Sequence, residues 1–191
     1  MVRVFITGSS DGLGLLAGEW LADAGHKVVL HARNPQRAHA ARAKLPACEA
    51  VVVADVSTFA GMHSVAEQAN ELGRFDAVIH NVGTGYGNGE RHVTEDRLTR
   101  IFAVNVVAPY VLTARMVRPD RLIYLSSGMQ MGGDPDLADA QWEHRRWSGS
   151  QAYSDSKLHL TILTMVLARR WSDVLVNAVD PGWGAQARRT I

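Results

Sequence analysis

The sequence is poor in cysteine, in unbalanced charge and in long apolar runs, and each of these absences excludes a class of protein. Cys48 is the only cysteine among 191 residues, which excludes an intrachain disulfide framework and a thiolate-rich metal cluster. The 20 Lys and Arg residues nearly balance the 19 Asp and Glu residues. This balance gives no electrostatic reason to expect nucleic acid or an acidic membrane as a partner. No apolar stretch approaches the roughly 20 residues that a bilayer-crossing helix needs.

What is present is typical of a globular protein. Hydrophobic residues make up 47% of the chain and charged residues 20%. The length fits one domain, residues 1–191, with a single core. The first six residues form a strand-like run with no basic region or cleavage site ahead of it. We therefore expect a cytoplasmic protein without a membrane segment.

Short runs rich in Val, Ile and Leu alternate with longer segments whose apolar residues recur every three or four positions. This alternation predicts an α/β fold. The predicted strands are 3–7, 27–31, 50–54, 77–81, 121–126 and 175–179. The predicted helices are 13–24, 35–45, 58–72, 94–117 and 152–171. Nearly continuous apolar strands suit a sheet that is buried on both faces, so we predict a Rossmann-type doubly wound parallel sheet with strand order 3-2-1-4-5-6.

Two stretches interrupt the alternation. Residues 84–93, with Gly85, Gly87, Asn88 and Gly89, predict a flexible loop after the fourth strand. Residues 128–149 separate the fifth strand from the last helix and contain Trp142 and Trp147. Both stretches follow the carboxyl end of a strand, where open α/β sheets bind their ligands.

A glycine-rich turn joins the first strand to the first helix. It reads Thr-Gly-Ser-Ser-Asp-Gly-Leu-Gly, with its glycines at Gly8, Gly12 and Gly14. Gly8 allows a tight turn, Gly12 lets the backbone approach a pyrophosphate, and Gly14 permits close packing of the helix. The helix N-terminus adds free N–H groups and a positive dipole end. Such a turn also occurs without any ligand, but its position between strand and helix favours dinucleotide binding.

The spacing Thr-Gly-x-x-x-Gly-x-Gly resembles that of the short-chain dehydrogenases/reductases, and further motifs of that family follow in order along almost the whole chain. Asn81-Val82-Gly83 resembles the family's Asn-Ala-Gly, from which Val82 is a departure. Asn105, Ser127, Tyr153 and Lys157 match its catalytic residues. The cofactor-binding residues that the resemblance implies are Gly8, Ser10, Asp11, Gly12, Leu13, Gly14, Arg33, Asp55, Val56, Asn81, Val82, Gly83, Tyr153, Lys157, Pro181 and Gly182.

The chemistry of Tyr153 and Lys157 follows from their spacing. They are four residues apart on a predicted helix and so share one face. An ammonium near a phenol favours the phenolate and lowers a pKa of about 10 towards neutrality. Tyr153 is therefore a candidate general acid for a carbonyl oxygen. We expect Ser127 to hydrogen-bond the same oxygen, Asn105 to hold a water in a proton relay, and Lys157 to reach the cofactor ribose.

The interval between the serines and Tyr153 is about twice the family's usual one. It resembles retinol-dehydrogenase-like members, in which the second serine of Ser-Ser is catalytic, so Ser127 is preferred to Ser126. Two interpretations of residues 128–149 remain open. Their aromatic residues form a wall beside an apolar carbonyl substrate, or Trp142 and Trp147 merely anchor a surface excursion.

The end of the second strand carries Arg33 and no acidic residue. An Asp or Glu there bonds the ribose hydroxyls of NAD, whereas an Arg pairs with the 2′-phosphate of NADP. NADP(H) is therefore the predicted cofactor, with NAD(H) as the alternative. The eight histidines lack the paired spacing of a metal-binding helix, so no metal site is predicted.

The family continues beyond Pro-Gly with a substrate-covering segment and a seventh strand. The basic tail 183–191 has no strand-like run, so the seventh strand is expected to be missing here. Either the chain is a minimal or truncated member of the family, or the sequence lacks further residues. Two functions follow. The first is an NADP(H)-dependent oxidoreductase that acts on a small carbonyl or alcohol compound, with a homo-oligomer as a further option. The alternative is a cofactor-binding sensor or scaffold without turnover.

Overall fold

A computed structural model describes residues 1–85 and 90–182. Within these residues six strands form one all-parallel sheet in the order β3-β2-β1-β4-β5-β6. The strands are β1 (Arg3–Ile6), β2 (Lys27–Ala32), β3 (Ala50–Val53), β4 (Ala77–His80), β5 (Arg121–Leu125) and β6 (Leu175–Val179). The predicted sheet and its strand order are confirmed, and each strand boundary lies within one residue of the prediction.

The helices cross over between the strands. They are α1 (Gly12–Asp23), α2 (Pro35–Lys44), α3 (Phe59–Glu71), α4 (Arg100–Phe102), α5 (Ala108–Arg115) and α6 (Gly149–Arg170). Polar residues set where several of them begin. Asn34 accepts a hydrogen bond from the third residue of α2, and Thr58 does the same for α3. Such N-caps satisfy backbone donors that the first turn leaves without partners.

The core lies on both faces of the sheet. Alternate residues of β1 point to opposite sides, with Phe5 packing towards α3 and α5 and Ile6 towards α1 and α2. Both side chains are fully buried. Burial of both strand faces explains why the central strands read as apolar runs rather than as alternating patterns.

The predicted helix 94–117 was wrong at its start and in its regularity. Residues 94–99 form a turn that an antiparallel bridge between Val93 and Thr99 closes. Helical structure begins at Arg100 and passes through a π-helical turn, Ala103–Val107, before α5. The π turn is continuous with α4 and α5, so the three pieces form one irregular helix ending at Arg115.

Residues 128–149 contain an additional short element. A 3₁₀ turn, Gly128–Gly132, follows β5 directly and was not predicted. Residues 86–89 lie outside the described residues, so Gly87, Asn88 and Gly89 of the predicted flexible loop are not described. The tail 183–191, where the seventh strand was expected to be missing, also lies outside the described residues. In the described part of the chain, no helix combines the length and apolar character needed to cross a membrane.

Candidate active site

The glycine-rich turn is built against the turn that follows β4. Gly8 has φ of +62°, and a Cβ there would lie 2.7 Å from the Cα of Val82. A Cβ on Gly14 would lie 2.4 Å from Nδ2 of Asn81. That amide donates to the carbonyl oxygens of Thr7 and Gly8, each at 2.9 Å. Glycine is therefore required at both positions, because any side chain would displace the bonds that shape the turn.

His31, near the end of β2, accepts a hydrogen bond from the backbone of the glycine-rich turn. The N–H of Gly8 donates to Nδ1 of His31 at 2.9 Å, and Nε2 lies 2.9 Å from the carbonyl oxygen of Ala54. Because Nδ1 accepts a hydrogen bond, the ring proton is on Nε2 and is donated to Ala54. Burial lowers the pKa of His31, which favours this neutral form. This role was not predicted from the sequence.

A continuous groove runs along the carboxyl edge of the sheet, above the glycine-rich turn. A cleft of about 1410 Å³ and a smaller one of about 340 Å³ share Asp11, Gly12, Asn81, Gly83 and Thr84 in their walls. The larger cleft is partly walled by Leu16 and Trp20 of α1 and reaches the catalytic candidates on α6. These shared walls make the two clefts continuous.

The smaller cleft ends among basic and acidic side chains. Its walls include Ser10, Arg33, Arg37, Asp55 and Val56. Arg33 and Arg37 are exposed, and Nε of Arg37 donates to the hydroxyl of Ser10 at 3.2 Å. Arg37 lies in the first turn of α2, beside an N-terminus that already favours anions. Arg33 was predicted from the sequence as a contact of the cofactor's 2′-phosphate, whereas Arg37 was not predicted.

The larger cleft contains Tyr153 and Lys157 of α6. Nζ of Lys157 lies 5.6 Å from the centre of the Tyr153 ring and donates to the carbonyl oxygen of Leu125 at 2.7 Å. Only 5% of Lys157 is exposed. Burial lowers the pKa of this ammonium to about 8, because its charge is poorly solvated there. At neutral pH the group is still mostly cationic and faces the phenol.

Asn105 lies in the π-helical turn and clamps the segment after β4. Its Oδ1 accepts from the N–H of Thr84 at 2.8 Å, and its Nδ2 donates to the Thr84 carbonyl and to the Ser156 hydroxyl, both at 3.0 Å. The side chain is thus committed to protein partners. The expectation that Asn105 holds a water in a proton relay stays a prediction.

The two adjacent serines differ in their surroundings. The hydroxyl of Ser126 is 2.9 Å from that of Thr161 on α6, and Ser126 is buried. Ser127 is half-buried and caps the 3₁₀ turn, accepting from the N–H of Met129 at 3.3 Å. Ser126 contributes to the wall of the larger cleft, whereas Ser127 lies just outside that wall.

Comparisons with known proteins agree with this architecture. The model of the short chain dehydrogenase family matches residues 3–186. The chain belongs to this family. An uncharacterized oxidoreductase of Emericella nidulans is 46% identical over 186 residues, which cover 96% of this chain and 70% of the relative.

Solved structures of the same kind superpose closely on this short-chain dehydrogenase. An uncharacterized protein from Mycobacterium paratuberculosis gives a TM-score of 0.85 at 27% identity, covering 97% of this chain and 69% of the other. A metagenomic short-chain oxidoreductase in complex with NADP gives 0.73 at 27% identity, covering 95% and 82%. The predicted family is thus confirmed, and by family the chain is an NAD(P)-dependent oxidoreductase.

Most of the residues predicted from the sequence lie together in this dehydrogenase. All of them contribute to the walls of the two clefts except Gly14, Asn105, Ser127 and Gly182. Leu13 and Pro181 are in the larger cleft. Gly182 has φ of +69° and donates its N–H to the Asp180 carboxylate at 2.9 Å. Within residues 1–85 and 90–182 no group of three His, Cys, Asp or Glu side chains is arranged to hold a metal ion.

The tryptophans of residues 128–149 pack with each other and with α6, which favours the anchoring interpretation over the aromatic wall. Trp142 and Trp147 contact each other edge to face at 5.5 Å and pack with Ile101 and Ala152. Neither is in the wall of either of the two clefts.

Proposed function

We propose that this chain is an NADP(H)-dependent reductase that transfers a hydride to a carbonyl group, or takes it back from the corresponding alcohol. The observation that carries this proposal is the buried Lys157 ammonium, which faces the Tyr153 ring inside a cleft continuous with the glycine-rich turn. The turn suits a pyrophosphate, and the Tyr–Lys pair suits an oxygen that gains a proton.

Each side chain has a distinct task in this proposal. Tyr153 donates the proton to the substrate oxygen, and the Lys157 charge stabilises the phenolate left behind. Ser127 holds the same oxygen by a hydrogen bond, a role that Ser126 is less free to take because it is tied to Thr161. Asn105 keeps the Thr84 segment in place and, in this proposal, holds a water that resupplies the proton. When bound, the nicotinamide supplies the hydride.

The residues present fit a dinucleotide. Gly8 and Gly12, both at positive φ, contribute backbone without a side chain to the wall of the smaller cleft, which lets a ligand approach closely. The first turn of α1 offers N–H groups to a pyrophosphate. In this proposal Asp55 and Val56 contact the adenine, and Arg33 with Arg37 holds a 2′-phosphate. All four residues are in the wall of the smaller cleft. A neighbour of 27% identity whose structure contains NADP supports this choice of cofactor.

The proposal is tested by mixing the protein with NADPH and a panel of aldehydes, ketones and quinones, and following cofactor oxidation. We expect turnover with at least one carbonyl class. The Tyr153→Phe variant is expected to lose roughly 10²- to 10⁴-fold in kcat while it binds NADPH normally. Tyr110→Phe is the matched control, since Tyr110 is an exposed tyrosine on α5.

The alternative of a sensor or scaffold predicts a different result. Such a protein binds NADPH, oxidises it with no member of the panel, and behaves the same when Tyr153 is replaced. Because the chain belongs to an oxidoreductase family and retains the Tyr–Lys pair, this alternative is not favoured.

A further inference from the structure

Asp155, which stands between Tyr153 and Lys157 in the sequence of α6, carries a buried carboxylate. The mechanism above does not use this group. Asp155 is only 3% exposed. Its Oδ1 accepts from the backbone N–H of Asp134 and from Nε2 of Gln151, both at 2.8 Å, and its Oδ2 accepts from Arg145 at 2.9 Å. A buried carboxylate is costly unless donors surround it. Here two donors come from the loop between the 3₁₀ turn and α6, and the third comes from α6 itself.

These contacts join the turn that begins at Ser127 to the helix that carries Tyr153. Nε2 of Gln151 also donates to the carbonyl of Gly132, at 2.7 Å, which is the last residue of the 3₁₀ turn. A Cβ on the next residue, Gly133, would lie 2.7 Å from the carbonyl oxygen of Ser154. The end of the turn is therefore pressed directly onto α6.

The Arg145 guanidinium that bonds Asp155 is held in place by further contacts. Its guanidinium lies 3.7 Å from the centre of the Trp142 ring, with Asp134 at 3.7 Å and Asp139 at 3.6 Å. Stacking on a tryptophan fixes the plane of the guanidinium and so reduces the entropy lost in pairing. Together, Gln151, Asp155 and Arg145 with the backbone of Gly132 and Asp134 form a unit that we call the clasp.

We propose that Asp155 is a positioning residue, which through the clasp sets the distance between the Ser127 hydroxyl and the Tyr153 phenol. The inference rests on the proposed function, in which both groups contact one substrate oxygen. They belong to different elements, so their separation depends on how the 3₁₀ turn is held against α6. An ångström of misplacement is enough to reduce catalysis about 100-fold. The clasp gives the long segment 128–149 a task in catalysis, although its tryptophans do not contact the cleft.

The test begins with Asp155→Asn, a change of nearly constant shape. The new amide keeps one acceptor oxygen but presents an NH₂ group to the Arg145 guanidinium, so two donors meet. We expect kcat on the best substrate of the panel to fall roughly 10- to 100-fold. The Kd for NADPH is expected to change by less than about twofold, because the cofactor groove does not include Asp155. Hydrogen exchange of the backbone around Asp134 is expected to rise, since its N–H loses an ionised acceptor.

Further variants separate positioning from general loss of structure. The double change Asp155→Asn with Arg145→Gln offers an acceptor to the new amide and is expected to recover part of kcat. Gln151→Ala removes the hydrogen bonds of Gln151 to Gly132 and to Asp155 but leaves the buried carboxylate in place. Because Gln151 is only half-buried, this variant reports on the clasp even if the Asp155 variant does not fold. The control is Asp173→Asn, which breaks an exposed ion pair with Arg118 beyond the other end of α6.

Wild-type kcat in a folded Asp155→Asn protein overturns the positioning role, and so does a parallel loss of kcat and NADPH affinity. If Asp155→Asn does not fold, wild-type kcat in Gln151→Ala overturns it as well. A wild-type protein that binds NADPH but turns over nothing in the panel counts instead against the proposed function. The exchange measurement needs no substrate and still reports whether the clasp forms.

Discussion

Replacement of Lys157 by methionine is expected to make the protein more stable at neutral pH while it removes activity. Burial lowers the pKa of this lysine to about 8 in the folded protein, against about 10.4 in an unfolded chain. A difference of this size corresponds to ~3 kcal/mol that the folded state loses at pH 7 by holding the ammonium. The variant also loses the bond to the Leu125 carbonyl, which costs about 1 kcal/mol. The net gain at pH 7 is therefore roughly 2 kcal/mol.

The pH dependence identifies the cause. Between pH 8 and about 10.4 the folded wild type binds fewer protons than the unfolded chain, so wild-type stability rises with pH in that interval. The advantage of Lys157→Met is thus complete below pH 8 and declines above it. Urea unfolding of both proteins at pH 7 and pH 9.5 measures this, with Lys27→Met at the exposed start of β2 as the control. A variant no more stable than wild type at pH 7, or equally advantaged at both pH values, would refute the reasoning.

Three further predictions concern the cofactor groove and the core. Arg33→Ala is expected to weaken NADPH binding about tenfold or more and to leave NADH binding nearly unchanged; equal losses in a fluorescence titration contradict the 2′-phosphate role. Gly14→Ala forces a methyl group against Asn81 and is expected to cost roughly 1 to 3 kcal/mol in chemical unfolding and to weaken NADPH binding. Burial lowers the pKa of His80 to about 3, so stability falls by up to about 1.4 kcal/mol per pH unit as pH drops below roughly 6.5. His80→Gln is expected to show a shallower acid slope, and an unchanged slope contradicts that assignment.

The sequence was sufficient for the sheet because its strands are buried on both faces and read as apolar runs. It was also sufficient to gather the glycine-rich turn, Asn81, Tyr153 and Lys157 at one edge, since the carboxyl ends of parallel strands meet there. These features depend on local patterns and on one topological rule. Their assignment as binding and catalytic residues stays a prediction.

What the sequence did not predict depends on contacts between distant segments. Nothing near Arg145 distinguishes a solvated arginine from one that contacts a buried carboxylate ten residues on. His31 gains its role only when β1, β2 and β3 are side by side. The π-helical turn at Asn105 interrupts an apolar periodicity that is otherwise regular, so the pattern predicted one continuous helix.

The position of β1 at the centre of the sheet has a consequence for folding rate. β1 pairs with β2 soon after it in the chain, but its other edge pairs with β4, and Arg3 bonds the Asp76 carboxylate across 73 residues. Closure of so long a loop costs entropy before the contact repays it, so we expect the arrival of β4 to limit the folding rate. Substitutions at the β1–β4 seam should slow folding, whereas those in β6 should mainly speed unfolding. β1 therefore pairs one edge locally and keeps the other edge unpaired until β4, more than 70 residues along the chain, is in place.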